Sequence, residues 1–245
     1  MTKLVLITGG NRGIGAALVA AFANAGFKVA FSYCHNRQQA LELQQQLTSG
    51  EIACFALDQA NPQSIDECLT NIEHHFGQRP DILINNGAIA QEKPFDQISA
   101  EDFSTMMDTN LRGPFLLTQG CIGHMQQQGW GRIINISSVG GQWGGFNQVH
   151  YAAAKAGLIN LSKSIAKIYS KDGICCNTIA IGLVETEMTA RELNSEAGQR
   201  KVASIPMQRL GTGNDIADLA LFLAGNNCGY LSGQTLNANG GMYLG

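Results

Sequence analysis

Residues 8–15 read TGGNRGIG, behind the short apolar run KLVLIT (3–8) and ahead of an alanine-rich stretch that favours helix. Strand, glycine turn and helix in that order form the context in which a glycine cluster cradles a dinucleotide. Gly9 permits the tight turn, Gly13 and Gly15 let backbone and helix approach closely, and the first helical turn presents unpaired N–H groups to a pyrophosphate. A glycine turn outside that context has no such implication, so the weight rests on what surrounds it.

The rest of the chain repeats the alternation. Further β-rich runs stand at KVAFSY (28–33), IACFAL (52–57), DILINN (81–86), GRIINIS (131–137), ICCNTIA (174–180) and QTLNAN (234–239), with helical patterns at 13–25, 37–48, 62–76, 101–127 and 150–171. Strands separated by helices join through right-handed crossovers into a parallel sheet. The expected fold is therefore α/β, a doubly wound seven-stranded parallel sheet with helices on both faces. No linker, charge block or repeat divides residues 1–245, which predicts one domain. Residues 183–213, with ETEMTARELNSEAG (185–198), break the alternation and are expected to form a substrate lid over the carboxyl edge of the sheet, where such folds bind ligands.

Composition narrows the function. The 245 residues have a formal charge of −3 and scattered Lys and Arg, which disfavours a nucleic-acid partner. No apolar run approaches the roughly 18 residues of a membrane span, and the run in MTKLVLITGG is too short for a signal peptide, so a cytoplasmic protein is expected. The seven cysteines include no C-x-x-C pair and suggest neither a disulfide framework nor a zinc site; no metal is expected.

A cofactor with a free ribose 2′-hydroxyl meets an Asp or Glu about 20 residues beyond the glycines. Here the second strand ends in FSYCHNR (31–37), with no acid before Glu42. Arg12 in the turn and Arg37 after the strand, with Ser32 and His35 as hydrogen-bonding partners, suit a 2′-phosphate instead, which predicts NADPH/NADP+ over NADH. Arg37 reads equally well as a surface charge. Asp58, ending the third strand, is placed either to accept from an adenine amino group or to cap the next helix.

YAAAK (151–155) sets a tyrosine and a lysine four positions apart on one helical face. A phenol titrates near about 10, and a neighbouring ammonium favours its ionisation, making tyrosine a usable acid near neutrality. The spacing alone also describes a helix with an aromatic anchor and a solvated lysine. Ser138 arrives thirteen residues earlier, at the end of the fifth strand in NISSVGG (135–141). Asn85, Asn86 and Gly87 end the fourth strand, and Asn110 falls within a helix, where Asn bends or hydrates the backbone. Hydride addition to a carbonyl builds negative charge on oxygen and needs preorganised donors and an acid, which Tyr, Ser and Lys supply. A Ser/His/Asp hydrolase is disfavoured because no G-x-S-x-G elbow surrounds Ser138 and His150 has no evident acid partner. His150 reads as a satisfied or exposed histidine.

Taken together, TGGNRGIG, NNGA (85–88), TNLRGPF (109–115), ISS (136–138), YAAAK and NGG (239–241) resemble the short-chain dehydrogenase/reductase family over essentially the whole chain. The resemblance implies a Rossmann-type fold and a catalytic set of Asn110, Ser138, Tyr151 and Lys155. Tyr151 would donate the proton and Ser138 would bind the carbonyl oxygen. Lys155 would tune the tyrosine and bind the nicotinamide ribose, and Asn110 would order a water that feeds protons to Lys155. It also implies cofactor contacts from Gly9, Asn11, Arg12, Gly13, Ile14, Gly15, Asn86, Gly87, Tyr151 and Lys155, with Gly182, Val184 and Thr186 lining the nicotinamide side.

Within the family, GWGRIINISSVGGQ (129–142), IPMQRLG (205–211), YLSGQTLNANGGMY (230–243) and YAAAKAGL (151–158) look most like 3-oxoacyl-acyl carrier protein reductases and acetoacetyl-CoA reductases. That implies NADPH-dependent reduction of a 3-oxoacyl thioester, an acyl carrier protein or CoA as carrier, and a homotetramer packed through helices 101–127 and 150–171. A ketone or sugar reductase of the same family and a catalytically weak nucleotide-binding scaffold are the alternative readings. Three departures stand out. Carrier-docking basic residues are depleted in MQQQGWGR (125–132) and SKDG (170–173), leaving chiefly Arg132 and Lys171. The usual N-N-A-G order is N-N-G-A. Ile181 replaces a proline before Gly182 and is expected to loosen that turn. Gln142, Trp143 and Phe146, in the loop between Ser138 and Tyr151, are the expected substrate contacts beside those two residues. Met188, Leu193 and Met207 suit an acyl chain or plain packing equally.

Overall fold

The computed structural model describes residues 2–185 and 196–245. Along the chain the elements are β1 (Leu4–Ile7), α1 (Gly13–Asn24), β2 (Lys28–Tyr33), α2 (Arg37–Gln46), β3 (Ile52–Ala56), α3 (Pro62–Phe76), β4 (Ile82–Asn85), α4 (Ala100–Met107), α5 (Gly113–Gln128), β5 (Gly131–Ser138), α6 (Gly140–Trp143), α7 (Val149–Tyr169), β6 (Ile174–Ile181), α8 (Glu196–Ala203), α9 (Gly213–Ala224) and β7 (Thr235–Ala238).

β1 is apolar and buried at every position, the signature of a strand covered on both faces. Val5 and Ile7 join a core with Leu18 and Phe22 of α1 and Ile216 and Leu223 of α9. Leu4 and Leu6 face the other way, with Leu69 and Ile72 of α3 and Leu117 and Met125 of α5. Each such side chain contributes about 1.5–3 kcal/mol on burial, so the alternation along one strand fixes a helical layer on either side. All neighbouring strands pair in parallel, in the order β3-β2-β1-β4-β5-β6-β7. The fold is thus a Rossmann-like α/β sheet whose order reverses between β1 and β4. There the loops leaving the two strands diverge and open a crevice at the carboxyl edge.

Two helical expectations change. The helix expected over 101–127 is interrupted: α4 and α5 are joined by a π-helical turn, Asp108–Arg112, that holds Asn110. The segment 213–224, which the strand-and-helix pattern left unassigned, forms α9. Its signal was present, since Thr212 and Asp215 make a reciprocal capping box ahead of apolar residues at helical spacing. α3 is capped by the Asn61 side chain, which accepts from Gln63 N–H, with Pro62 in its first turn. Asp58 is therefore not its cap; its carboxylate accepts from Ala60 N–H at 2.9 Å.

The excursion after β6 is closed at its base, where Val184 and Gly211 form a parallel bridge. Among the described residues no helix is long and apolar enough to cross a membrane, and no group of three His, Cys, Asp or Glu is placed to hold a metal ion. The cysteines are free thiols, five of them buried.

Candidate active site

The glycine turn is forced by its neighbours. Gly9 has φ +62°, and a Cβ there would lie 2.8 Å from Gly87 Cα. At Gly15 a Cβ would run into the Gly9 carbonyl, whereas at Gly13, with φ +54°, it would meet nothing within 4 Å. The turn is therefore tight beneath and open in front. α1 begins after Arg12 with no side-chain cap and no acidic residue in its first turn, so its leading N–H groups and dipole face that open space.

Thr8 and Asn86 stitch the turn to the end of β4. Thr8 Oγ1 accepts from Asn86 N–H at 3.1 Å and Gly87 N–H at 2.8 Å, while Asn86 Nδ2 donates to the carbonyls of Thr8 and Gly9 at 2.9 and 3.2 Å. Ser32 lies beneath the turn rather than facing a phosphate. It is buried, and its Oγ accepts from Gly9 N–H at 3.1 Å, which corrects the expectation drawn from its position at the strand end. Arg12, His35, Arg37 and Asp58 are exposed at the rim, and Ile14 is half-buried in α1. The Asn11 side chain is engaged sideways, its Nδ2 donating to Gln39 Oε1 of α2 at 2.9 Å. Thr186, Met188 and Leu193 lie outside the described residues.

Two strands beyond β1, Ser138 ends β5, and α7 brings Tyr151 and Lys155 to it. Ser138 Oγ accepts from Gly140 N–H at 3.1 Å and is hydrogen-bonded to Tyr151. Lys155 is buried, donates from Nζ to the Ile136 carbonyl at 2.8 Å, and sits 5.7 Å from the Tyr151 ring centroid. Ser137 Oγ donates to the Lys155 carbonyl at 3.0 Å, and a Cβ on Gly141 would lie 2.8 Å from the Lys155 carbonyl carbon. β5 and α6 therefore press directly on the backbone of α7.

Burial shifts both groups. Loss of water lowers the Lys155 ammonium to about 8. It pushes the Tyr151 phenol up from its ordinary value, with the Ser138 hydrogen bond working against it. This reverses the expectation that the lysine pulls the phenol down. Desolvation outweighs a cation that stands off the ring and is committed to a backbone carbonyl.

Asn110 is buried in the π turn with its side chain fully committed. Oδ1 accepts from Ile89 N–H at 2.9 Å, and Nδ2 donates to the Ile89 carbonyl at 2.8 Å and toward Met106 Sδ. The amide thus pins the segment after β4, which leaves the side chain no free group for the water expected there. Gln59, which sequence reasoning missed, bridges the same region: its Nε2 donates to the carbonyls of Gly87 and Thr109, each at 3.0 Å. A Cβ on Gly87 would run into the Gln59 side chain. The N-N-G-A order follows, because glycine is required at 87 while Ala88 is exposed.

The expected substrate loop is only partly brought to the site. Phe146 is 96 % exposed, and Trp143 stands edge-on to Tyr243 with centroids 6.1 Å apart. Gln142 lines a separate polar cavity with Ala156, Lys163, Gln234 and Gly245, one that Ser138 and Tyr151 do not line. The structure therefore places Gln142 at this cavity beside α7 rather than with Ser138 and Tyr151. Met207 is exposed. Ile181 pairs with Ser138 and Ala238, its carbonyl accepts from Val139 N–H at 2.9 Å, and Gly182 N–H donates to Ala238 O at 3.2 Å. Strand pairing holds this residue on both sides.

A family model described as enoyl-(acyl carrier protein) reductase matches residues 9–243. An acetoacetyl-CoA reductase of Rhizobium meliloti strain 1021 is 37% identical over 244 residues, covering 100% of both chains. The 3-oxoacyl-(acyl-carrier-protein) reductases FabG of Vibrio cholerae and Escherichia coli K12 are 38% and 37% identical, each covering 99% of this chain and 98% of the relative.

Proposed function

The chain belongs to the short-chain dehydrogenase/reductase family and is an oxidoreductase using a nicotinamide cofactor; from that premise we propose that it is an NADPH-dependent reductase of 3-oxoacyl thioesters. One observation carries the reading. The Ser138 and Tyr151 hydroxyls converge at the carboxyl edge with the Lys155 amine buried behind them. The cofactor fits the residues present: a turn open in front of Gly13, and an uncapped helix start behind it. Arg12, Arg37 and His35 at the rim, with no acid before Glu42, support a 2′-phosphate.

When bound, the nicotinamide supplies the hydride for the carbonyl carbon. Ser138 accepts from Gly140 N–H and shares its own hydrogen with Tyr151, and with a carbonyl bound between the two hydroxyls that hydrogen would turn to the substrate oxygen. Tyr151 passes its proton to that oxygen as the C–O double bond opens, giving the 3-hydroxyacyl thioester. Lys155, still largely charged at neutral pH, steadies the phenolate left behind and returns a proton to it. Asn110 acts by holding Ile89, and so the wall of the crevice, rather than by touching the substrate.

The names of the relatives support an acyl thioester, carried by CoA or by an acyl carrier protein, as substrate. Assembly into a homotetramer is supported by an apolar groove between the α4–α5 unit and α7, lined by Met107, Leu111, Phe115, Gly157 and Leu161, which a second copy would cover. Steady-state NADPH oxidation with acetoacetyl-CoA, acetoacetyl carrier protein, simple ketones and crotonyl-CoA tests the reading. Turnover is expected with the 3-oxo thioesters and none with crotonyl-CoA. Tight NADPH binding without turnover of any carbonyl would overturn it, and light scattering reads the assembly.

A further inference from the structure

His150 is fully buried one residue before Tyr151, in the first turn of α7, and the reaction above makes no use of it. Its Nε2 lies 2.9 Å from Gln91 Oε1, and its Nδ1 is buried without a partner. Gln91, in the irregular segment after β4, donates from Nε2 to Asp102 Oδ1 at 3.2 Å. Asp102, in the first turn of α4, also accepts from Lys93 Nζ at 2.6 Å and from the Ser99 N–H and hydroxyl. These donors hold its carboxyl well below the usual carboxylate range.

The direction of every hydrogen bond follows from that end. A carboxylate only accepts. Gln91 must therefore donate through Nε2 and turn Oε1 to His150, and His150 must donate from Nε2. Nδ1, on the other side of the ring, takes no part in this chain of hydrogen bonds.

The same two segments meet twice more. Lys93 N–H donates to the Asn147 carbonyl at 2.8 Å, and Gln148 Nε2 donates to Glu92 Oε1 at 3.4 Å. Asn147 sits at φ +54°, a left-handed conformation that Asn tolerates better than most residues and that turns the chain into α7. Asn110 pins Ile89 from the other side.

We propose that His150 is a positioning residue: the relay Asp102–Gln91–His150 clamps the segment after β4 onto the first turn of α7 and so sets where the Tyr151 hydroxyl stands relative to Ser138. The kinetic part of its test rests on the reductase reading; the exchange part does not. Gln91 is exposed, so Gln91→Leu is compatible with folding, and it is compared with His150→Leu and the double variant. In Gln91→Leu, hydrogen–deuterium exchange is expected to accelerate about tenfold or more at the amides of Lys93, which bonds across the clamp, and Ala152, which bonds to Gln148 in the first turn of α7, while β5 keeps its protection. With NADPH and acetoacetyl-CoA, kcat is expected to fall about tenfold at unchanged cofactor Kd. The isotope effect with 4-deuterated NADPH should rise as hydride transfer becomes slower. Mere loss of folded protein lowers the rate without moving the isotope effect. The double variant should be no slower than the slower single one, since both cut one chain of hydrogen bonds. Unchanged exchange in Gln91→Leu, an unmoved isotope effect, or additive losses would each overturn the clamp. A wild-type enzyme that reduces no carbonyl overturns the reductase reading alone, and the exchange result still decides the clamp.

Discussion

Replacing Lys155 by Met should stabilise the fold near neutral pH relative to the wild type, in a way that fades as pH rises. Burial lowers this ammonium from 10.5 to about 8. At about 1.4 kcal/mol per tenfold change, holding it charged in the fold costs on the order of 3 kcal/mol. The sign follows from proton counting: between 8 and 10.5 the unfolded chain binds the proton and the folded chain does not, so wild-type stability rises with pH across that window. Below 8 the cost is fully present, and above 10.5 it is gone. The methionine variant has no such dependence at this site. It also loses the bond from Nζ to the Ile136 carbonyl, but the amine makes that bond charged or neutral, so its loss offsets the curve without bending it. Urea unfolding of both proteins without cofactor, at equal concentration from pH 7 to 9.5, should show the wild type gaining about 2 kcal/mol on the variant, most of it above pH 8. Buried Cys68, Cys121 and Cys176, with thiols pushed up to about 12, bend the absolute curves the opposite way but are common to both proteins and cancel. A gap that stays constant with pH would refute the buried-ammonium argument. The stabilised variant should have lost turnover.

Tyr151→Phe should lower kcat by about 10²–10⁴-fold while NADPH affinity, read by cofactor fluorescence titration, holds. Retained activity would assign the proton to another group. Gly15→Ala puts a methyl into the Gly9 carbonyl and should abolish cofactor binding in the same titration, with the sheet intact by circular dichroism. Arg12→Ala and Arg37→Ala should each weaken NADPH by about 10- to 100-fold, the worth of a charge-assisted hydrogen bond, and leave NADH unchanged. Equal losses for both cofactors would remove the 2′-phosphate from the account.

Much of this was legible before any coordinates. β1, every residue apolar, announces a strand buried on both faces, and TGGNRGIG followed by an alanine-rich helix places the crevice. The four-residue spacing of Tyr151 and Lys155 is fixed by helical geometry. What escaped the sequence depends on partners distant along the chain. Ser32 looks like a phosphate ligand until the fold puts it under Gly9, and Gln59 has no local signal because its partners, Gly87 and Thr109, lie on other elements. Asn110 looks free to order water until Ile89 takes both ends of its amide.

The sequence by itself determined the parallel α/β sheet, the glycine turn between β1 and α1, and the shared helical face of Tyr151 and Lys155, because strand and helix periods and glycine placement are local properties of the chain. Only the tertiary structure decided what those side chains are worth. Burial, which no local pattern reports, lowers Lys155 and raises Tyr151 together. The π turn at Asp108–Arg112, the requirement for glycine at 87 and the link from Asp102 to His150 arise where segments far apart in sequence compete for the same space and the same hydrogen bonds.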